Sequence, residues 1–116
     1  MEIHKEERPW GNFEQFVQEK SCTVKIITIN PNSKLSLQYH NFREEFWRII
    51  SGEAIFTLGE EKVHSKKGDE LFFPKKEIHC IESKDETVTI LEIAFGKFDE
   101  NDIVRLEDKY GRVDKK

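Results

Sequence analysis

The chain has 116 residues, with 19 Lys and Arg against 23 Asp and Glu and a formal net charge of −4. A single domain of this length buries enough surface to hold a core without staples. The two signs of charge are interspersed, which argues against a nucleic-acid surface, and no apolar run approaches the ~20 residues of a membrane span.

In chain order, residues 1–8 are polar and expected to fray. They lack the apolar stretch of a signal peptide, so a cytoplasmic protein is expected. Cys22 and Cys80 have no metal or redox spacing and read as two free thiols. Pro9-Trp10-Gly11 breaks the chain, and Phe13, Phe16 and Val17 suggest a first strand. Residues 23–29 alternate and then turn apolar, predicting a second strand. After the Asn30-Pro31-Asn32-Ser33 turn, residues 35–40 alternate again, with Leu35, Leu37 and Tyr39 on one face and Ser36, Gln38 and His40 on the other. Further strands are predicted at 45–51, 53–58, 62–64, 70–73, 78–82 and 87–95, with turn signals between them. Only 102–108 suggests a helical turn. Short strands with turns every eight to twelve residues predict one all-β domain over 1–116, a sandwich or barrel.

Chemistry gathers on four residues. Gln38 and His40 share a strand face, Glu45 follows a short break, and His79 lies far downstream. Their carbonyl oxygen, two imidazoles and carboxylate suit zinc at about 2.0–2.2 Å with one position open. Mn, Fe, Co or Ni would also fit such N/O donors. The alternative is a hydrogen-bonded polar core without metal.

Residues 31–52 read P-N-x5-Q-x-H-x4-E-x6-G, and residues 68–79 read G-x5-P-x-K-x2-H. These resemble the two motifs of the cupin superfamily, G-x5-H-x-H-x4-E-x6-G and G-x5-P-x-G-x2-H, with Asn32, Gln38 and Lys76 as departures. Arg8-Pro9-Trp10-Gly11, Leu35-Ser36-Leu37-Gln38-Tyr39-His40, Arg43-Glu44-Glu45-Phe46-Trp47 and the tail from Asp102 to Arg112 narrow the resemblance. Together they are similar to the cupin domain of type II mannose-6-phosphate isomerases, which often sits behind a guanylyltransferase. The resemblance implies a double-stranded β-helix, zinc held by Gln38, His40, Glu45 and His79, and isomerisation of mannose 6-phosphate. Asn41, Phe42 and Phe46 stand where that family often has histidines.

A phosphorylated substrate needs cations, and a guanidinium fits phosphate through its forked donors. Arg43, held between two ligands in sequence, is the first catalytic candidate, and Arg112 the second. Lys75, with Lys76 beside it, could meet a phosphate, though a solvated turn is the plainer reading. Trp10 could stack on a sugar ring, and Tyr110 accompanies Arg112 as a substrate-binding candidate. Trp47 reads as core and His64 as an exposed strand residue. Leu35, Leu37, Tyr39, Phe46 and Ile50 would point away from the metal, and a second subunit covering them predicts a twofold dimer. A non-catalytic cupin that binds a sugar phosphate, and a metal dioxygenase, are the rival readings.

Overall fold

The structure, a computed structural model, describes residues 2–35, 37–40, 42–77, 79–96 and 104–107. Eleven strands are described: β1 (His4–Arg8), β2 (Gly11–Gln15), β3 (Cys22–Ile29), β4 (Leu37–Tyr39), β5 (Arg43–Ser51), β6 (Glu53–Leu58), β7 (Glu61–Lys66), β8 (Glu70–Phe73), β9 (His79–Ser83), β10 (Val88–Gly96) and β11 (Val104–Glu107). One sheet has the order β3-β10-β5-β8 and a second β11-β4-β9-β6-β7, while β1 and β2 form a separate hairpin. Every strand pairing is antiparallel.

Alternation along β5 sets the two faces. Arg43, Glu45, Trp47 and Ile49 are buried on the inner face, while Arg48 and Ile50 on the other are more open. The inner faces of the two sheets meet in a core of Trp47, Ile49, Phe56, Phe73, Ile81 and Ile90. The Trp47 ring meets Phe56 and Phe73 edge-on, at centroid distances of 5.8 and 5.1 Å. Each such buried side chain contributes about 1.5–3 kcal/mol of transfer free energy.

The inner face is divided along its length. At one end Ile27, Ile29, Val88, Ile90 and Ile49 are apolar. At the other, β3, β10 and β5 place Lys25, Glu92, Glu45 and Arg43. Lys25 and Glu92 are directly opposite on neighbouring strands, and Glu92 also faces Trp47. The polar end is where the candidate site lies.

Both motif departures at glycine positions adopt the left-handed backbone that a glycine would favour: φ is 55° at Asn32 and 65° at Lys76. The turn geometry is therefore kept with different residues. Gly52, which closes the first motif, has φ of 85°, and a Cβ there would run into the Thr87 carbonyl.

Several expectations need correction. Residues 4–8 do not fray but pair with β2 in register from His4↔Gln15 to Arg8↔Gly11. The helical turn expected within 102–108 is strand at Val104–Glu107, paired with β4. Val104 and Leu106 alternate with Arg105 and Glu107, a strand period, and the β4 edge offers partners that an isolated helical turn lacks. Leu35 does not face outward: it packs against the main core, and its N–H donates to the Ile81 carbonyl at 2.9 Å. It precedes β4, so strand parity does not apply to it.

Phe46 does face the outer side, but the chain covers it itself. It is buried with Ile93 and Phe95 beneath Ile3, Phe16 and Val17, and the Phe16 ring lies 5.8 Å from it. Arg48 pins this covering segment, donating to Glu14 Oε2 at 2.6 Å and to Glu70 Oε2 at 2.7 Å. Val24, Ile26, Ile50 and Phe72 remain exposed. Both cysteines are free, with Cys80 buried and Cys22 exposed.

Candidate metal centre

His40 follows β4, Glu45 lies on β5 and His79 opens β9, so three elements from both sheets supply the site. One ligand atom from each of these side chains lies within 4.8 Å of the others, and all three residues are buried. The Lys76 N–H donates to the His40 carbonyl at 2.7 Å, so the turn of the second motif anchors a residue of the first. His79 is held more tightly. Its Nδ1 is 2.9 Å from the Glu77 carbonyl, and its ring stacks on Phe73 at 4.3 Å with an interplanar angle of 14°.

That bond to a carbonyl oxygen assigns the proton to Nδ1, because an oxygen lone pair needs a donor. His79 Nε2 then carries a lone pair; it is buried and has no hydrogen-bond partner among the described residues. Glu45 Oε1 is likewise buried and accepts no well-formed hydrogen bond, although His40 Nε2 is 2.7 Å away. Unsatisfied buried acceptors are costly, about 1–3 kcal/mol each. Two buried acceptors in neighbouring side chains, neither with a hydrogen-bond donor, are relieved by a shared cation. Two imidazoles and a carboxylate, with a second-sphere carbonyl fixing the tautomer of one of them, form a donor set for a divalent transition ion. The residues present fit a metal.

Electrostatics agree. Burial pushes the His79 imidazole below the usual histidine range, keeping it neutral as a ligand must be. Burial alone would raise the Glu45 carboxyl, but the adjoining His40, Glu92 and His79 side chains hold it well below the usual carboxylate range. Trp47 Nε1 donates to Glu45 Oε2 at 3.0 Å, so this core residue also orients a candidate ligand.

Among the other expected site residues, Arg43 joins the cluster. Its side chain is buried, with Nε 3.5 Å from Glu45 Oε1 and Nη2 3.4 Å from His40 Nε2. The Gln38 backbone is the antiparallel partner of His79; its side chain lies outside the described residues, as do Tyr110 and Arg112. Lys75 and Lys76 are exposed on the turn before β9. Trp10 is 73% exposed at the tip of the β1–β2 hairpin. That hairpin is tied through Glu14 to Arg48, on the sheet face opposite Glu45, so the structure does not gather Trp10 with the cluster. His64 is exposed on β7, its Nε2 3.2 Å from Lys84 Nζ.

Glu92 was not among the expected site residues. It is 4% exposed and hydrogen-bonded to Glu45; burial, that bond and the Glu45 charge push its carboxyl up to about 8. A signal existed in the sequence: a lone carboxylate in the middle of Val88-Thr89-Ile90-Leu91-Glu92-Ile93-Ala94-Phe95, with apolar neighbours on both sides.

Residues 1–108 match the family described as mannose-6-phosphate isomerase C-terminal. The chain belongs to this family. It is 33% identical over 108 residues to mannose-1-phosphate guanylyltransferase ManC of Salmonella typhimurium, covering 91% of this chain and 22% of that one. It is 36% identical to the xanthan biosynthesis protein XanB of Xanthomonas campestris pv. campestris, covering 91% and 23%. The chain thus spans under a quarter of the length of these curated relatives. Among solved structures it resembles a double-stranded β-helix domain protein from Klebsiella pneumoniae at TM-score 0.66 and 18% identity, covering 80% of each chain. It also resembles the cupin domain of Schizosaccharomyces pombe Cnp3 at TM-score 0.63 and 14% identity, covering 71% of this chain and 61% of that one. These two likenesses establish the fold, an all-strand cupin.

Proposed function

We propose that this member of the mannose-6-phosphate isomerase C-terminal family is a divalent-metal-dependent aldose–ketose isomerase that interconverts mannose 6-phosphate and fructose 6-phosphate. Zinc is the first choice of ion. The observation that carries the reading is the pair of buried, unsatisfied acceptors, His79 Nε2 and Glu45 Oε1, converging beside His40. The relatives' names, with their mannose phosphate and xanthan chemistry, support a place in polysaccharide precursor synthesis. Sugar phosphates are charged and do not diffuse through bilayers, which favours a cytoplasmic site of action; no helix among the described residues is long and apolar enough to cross a membrane. We propose also that a second copy covers the exposed outer face, giving a homodimer.

His40, Glu45 and His79, with Gln38 as the proposed fourth ligand, would hold the ion. A bound divalent ion supplies Lewis acidity that stabilises negative charge on the sugar oxygens as the C2 proton moves to C1. Arg43 presents a permanent positive charge beside the same point and suits an oxyanion or phosphate of the substrate. Trp47 and Phe73 wall the inner side and exclude water. A coupled assay for fructose 6-phosphate, run on metal-stripped protein with zinc, cobalt or manganese restored, is expected to show turnover only with metal. Absence of turnover with all three ions would remove the isomerase reading.

A non-catalytic sugar-phosphate-binding cupin is the second reading. Phe42 favours it, standing exposed where the resembled family often has a histidine. Thermal stabilisation by mannose 6-phosphate with no turnover would select it.

A further inference from the structure

We propose that Trp47 is a positioning residue for the cation centre: its indole N–H holds Glu45 Oε2, so that Glu45 offers an ion a single oxygen, Oε1, beside His40 and His79. The proposal rests on the reading of these residues as a metal centre.

Glu45 and Trp47 are two apart on β5, so both side chains leave the same face of the sheet. Trp47 Nε1 donates to Glu45 Oε2 at 3.0 Å. The other oxygen, Oε1, is buried and accepts no well-formed hydrogen bond; it lies 2.7 Å from His40 Nε2. The indole takes one oxygen and leaves the other for an ion. The indole is itself fixed. It is 2% exposed and meets Phe56 and Phe73 edge-on, at interplanar angles of 71° and 87°. It also meets the His79 ring edge-on, at 84° with centroids 6.1 Å apart. The same Phe73 stacks on His79. One aromatic block therefore bears on two ligand candidates, Glu45 on β5 of one sheet and His79 on β9 of the other. Packing alone does not ask for an indole here. A phenylalanine or leucine would fill the core without an N–H that needs a partner when buried. Nor is Glu45 there to satisfy the indole, because a buried carboxylate costs far more than the N–H it would serve.

The test measures cobalt binding by the full chain in competition with a chromophoric chelator, recording the visible spectrum of the bound ion and the thermal unfolding of each metal-free protein. The reference is the Trp10→Phe protein, in which Trp47 is the one tryptophan left. Replacing Trp47 in it by 3-benzothienylalanine, which has sulfur in place of the indole N–H, keeps the ring and removes the donor. This protein is expected to fold and to bind cobalt about 10–100-fold more weakly, the range found for lost outer-shell partners. Its visible bands are expected to change as the second Glu45 oxygen becomes free to reach the ion. Trp47→Phe is expected to show the same loss and the same spectral change; should it fail to fold, the analogue decides. Unchanged affinity and spectrum in the analogue would overturn the proposal. A loss in Trp47→Phe alone would overturn it too, by assigning the effect to packing. No cobalt binding by the reference protein would remove the metal centre itself, and the proposal with it.

Discussion

At the level of single residues, the site is a balance between burial and partnership. Glu92 is raised to about 8 by burial, by its bond to Glu45 and by the charge there, with Lys25 and Arg43 pulling the other way. An unfolded glutamate titrates near 4.3. In the metal-free protein the folded state therefore holds a proton that the unfolded state has lost. This contribution is complete below about pH 4 and vanishes as pH rises through about 8. His79 acts in the opposite sense. Its folded value is depressed, so its contribution is lost as pH falls below about 6.5, where the unfolded histidine takes a proton. Metal-free protein is expected to melt at a lower temperature at pH 9 than at pH 6, by roughly 4–8 °C for each kcal/mol lost. Glu92→Gln should flatten that alkaline decline. Parallel melting curves for the two proteins would contradict the assignment. Spacing and motif resemblance singled out His40, Glu45 and His79 together with Gln38, and the first three lie within reach of one another. Glu92 was not singled out, because an isolated glutamate in an apolar strand has no spacing partner until strand register shows which residue lies diagonal to it.

At the level of elements, alternation located most of the strands within two residues, because a half-buried sheet enforces a period of two. It misplaced Leu35, which lies before its strand. It also missed β11, whose four residues become strand through a partner 65 or more positions away. The predicted dimer rested on outward residues, and the structure changes which ones matter. The N-terminal segment shields Phe46, whereas Val24 and Ile26 on β3 are 57% and 59% exposed beside Leu91. Among the described strands β3 pairs only with β10, leaving a free edge of eight residues. An uncovered apolar edge of this length invites pairing, and two identical edges can pair antiparallel about a twofold axis. Small-angle scattering at micromolar concentration is expected to give twice the 13.8 kDa chain mass, and Ile26→Lys to shift the protein toward monomer. A monomeric mass for the unsubstituted chain would exclude the dimer.

At the level of the whole molecule, the two sheets divide the work. Their apolar end closes the barrel with Trp47, Phe56 and Ile81. Their polar end gathers three metal-ligand candidates from three elements. Left-handed Asn32 and Lys76 show that the fold tolerates other residues at motif glycines, since each adopts the glycine-like backbone. What the sequence left open was how the inner face divides into an apolar half and a charged half, which only the pairing of β3, β10 and β5 decides. The proposed chemistry requires those ligands to converge upon one ion. Crystals of zinc-loaded protein, measured on both sides of the zinc absorption edge, test this directly. The expected result is a single anomalous peak about 2.0–2.2 Å from His40 Nε2, Glu45 Oε1 and His79 Nε2. A peak elsewhere, or no peak from protein crystallised in excess zinc, would contradict it.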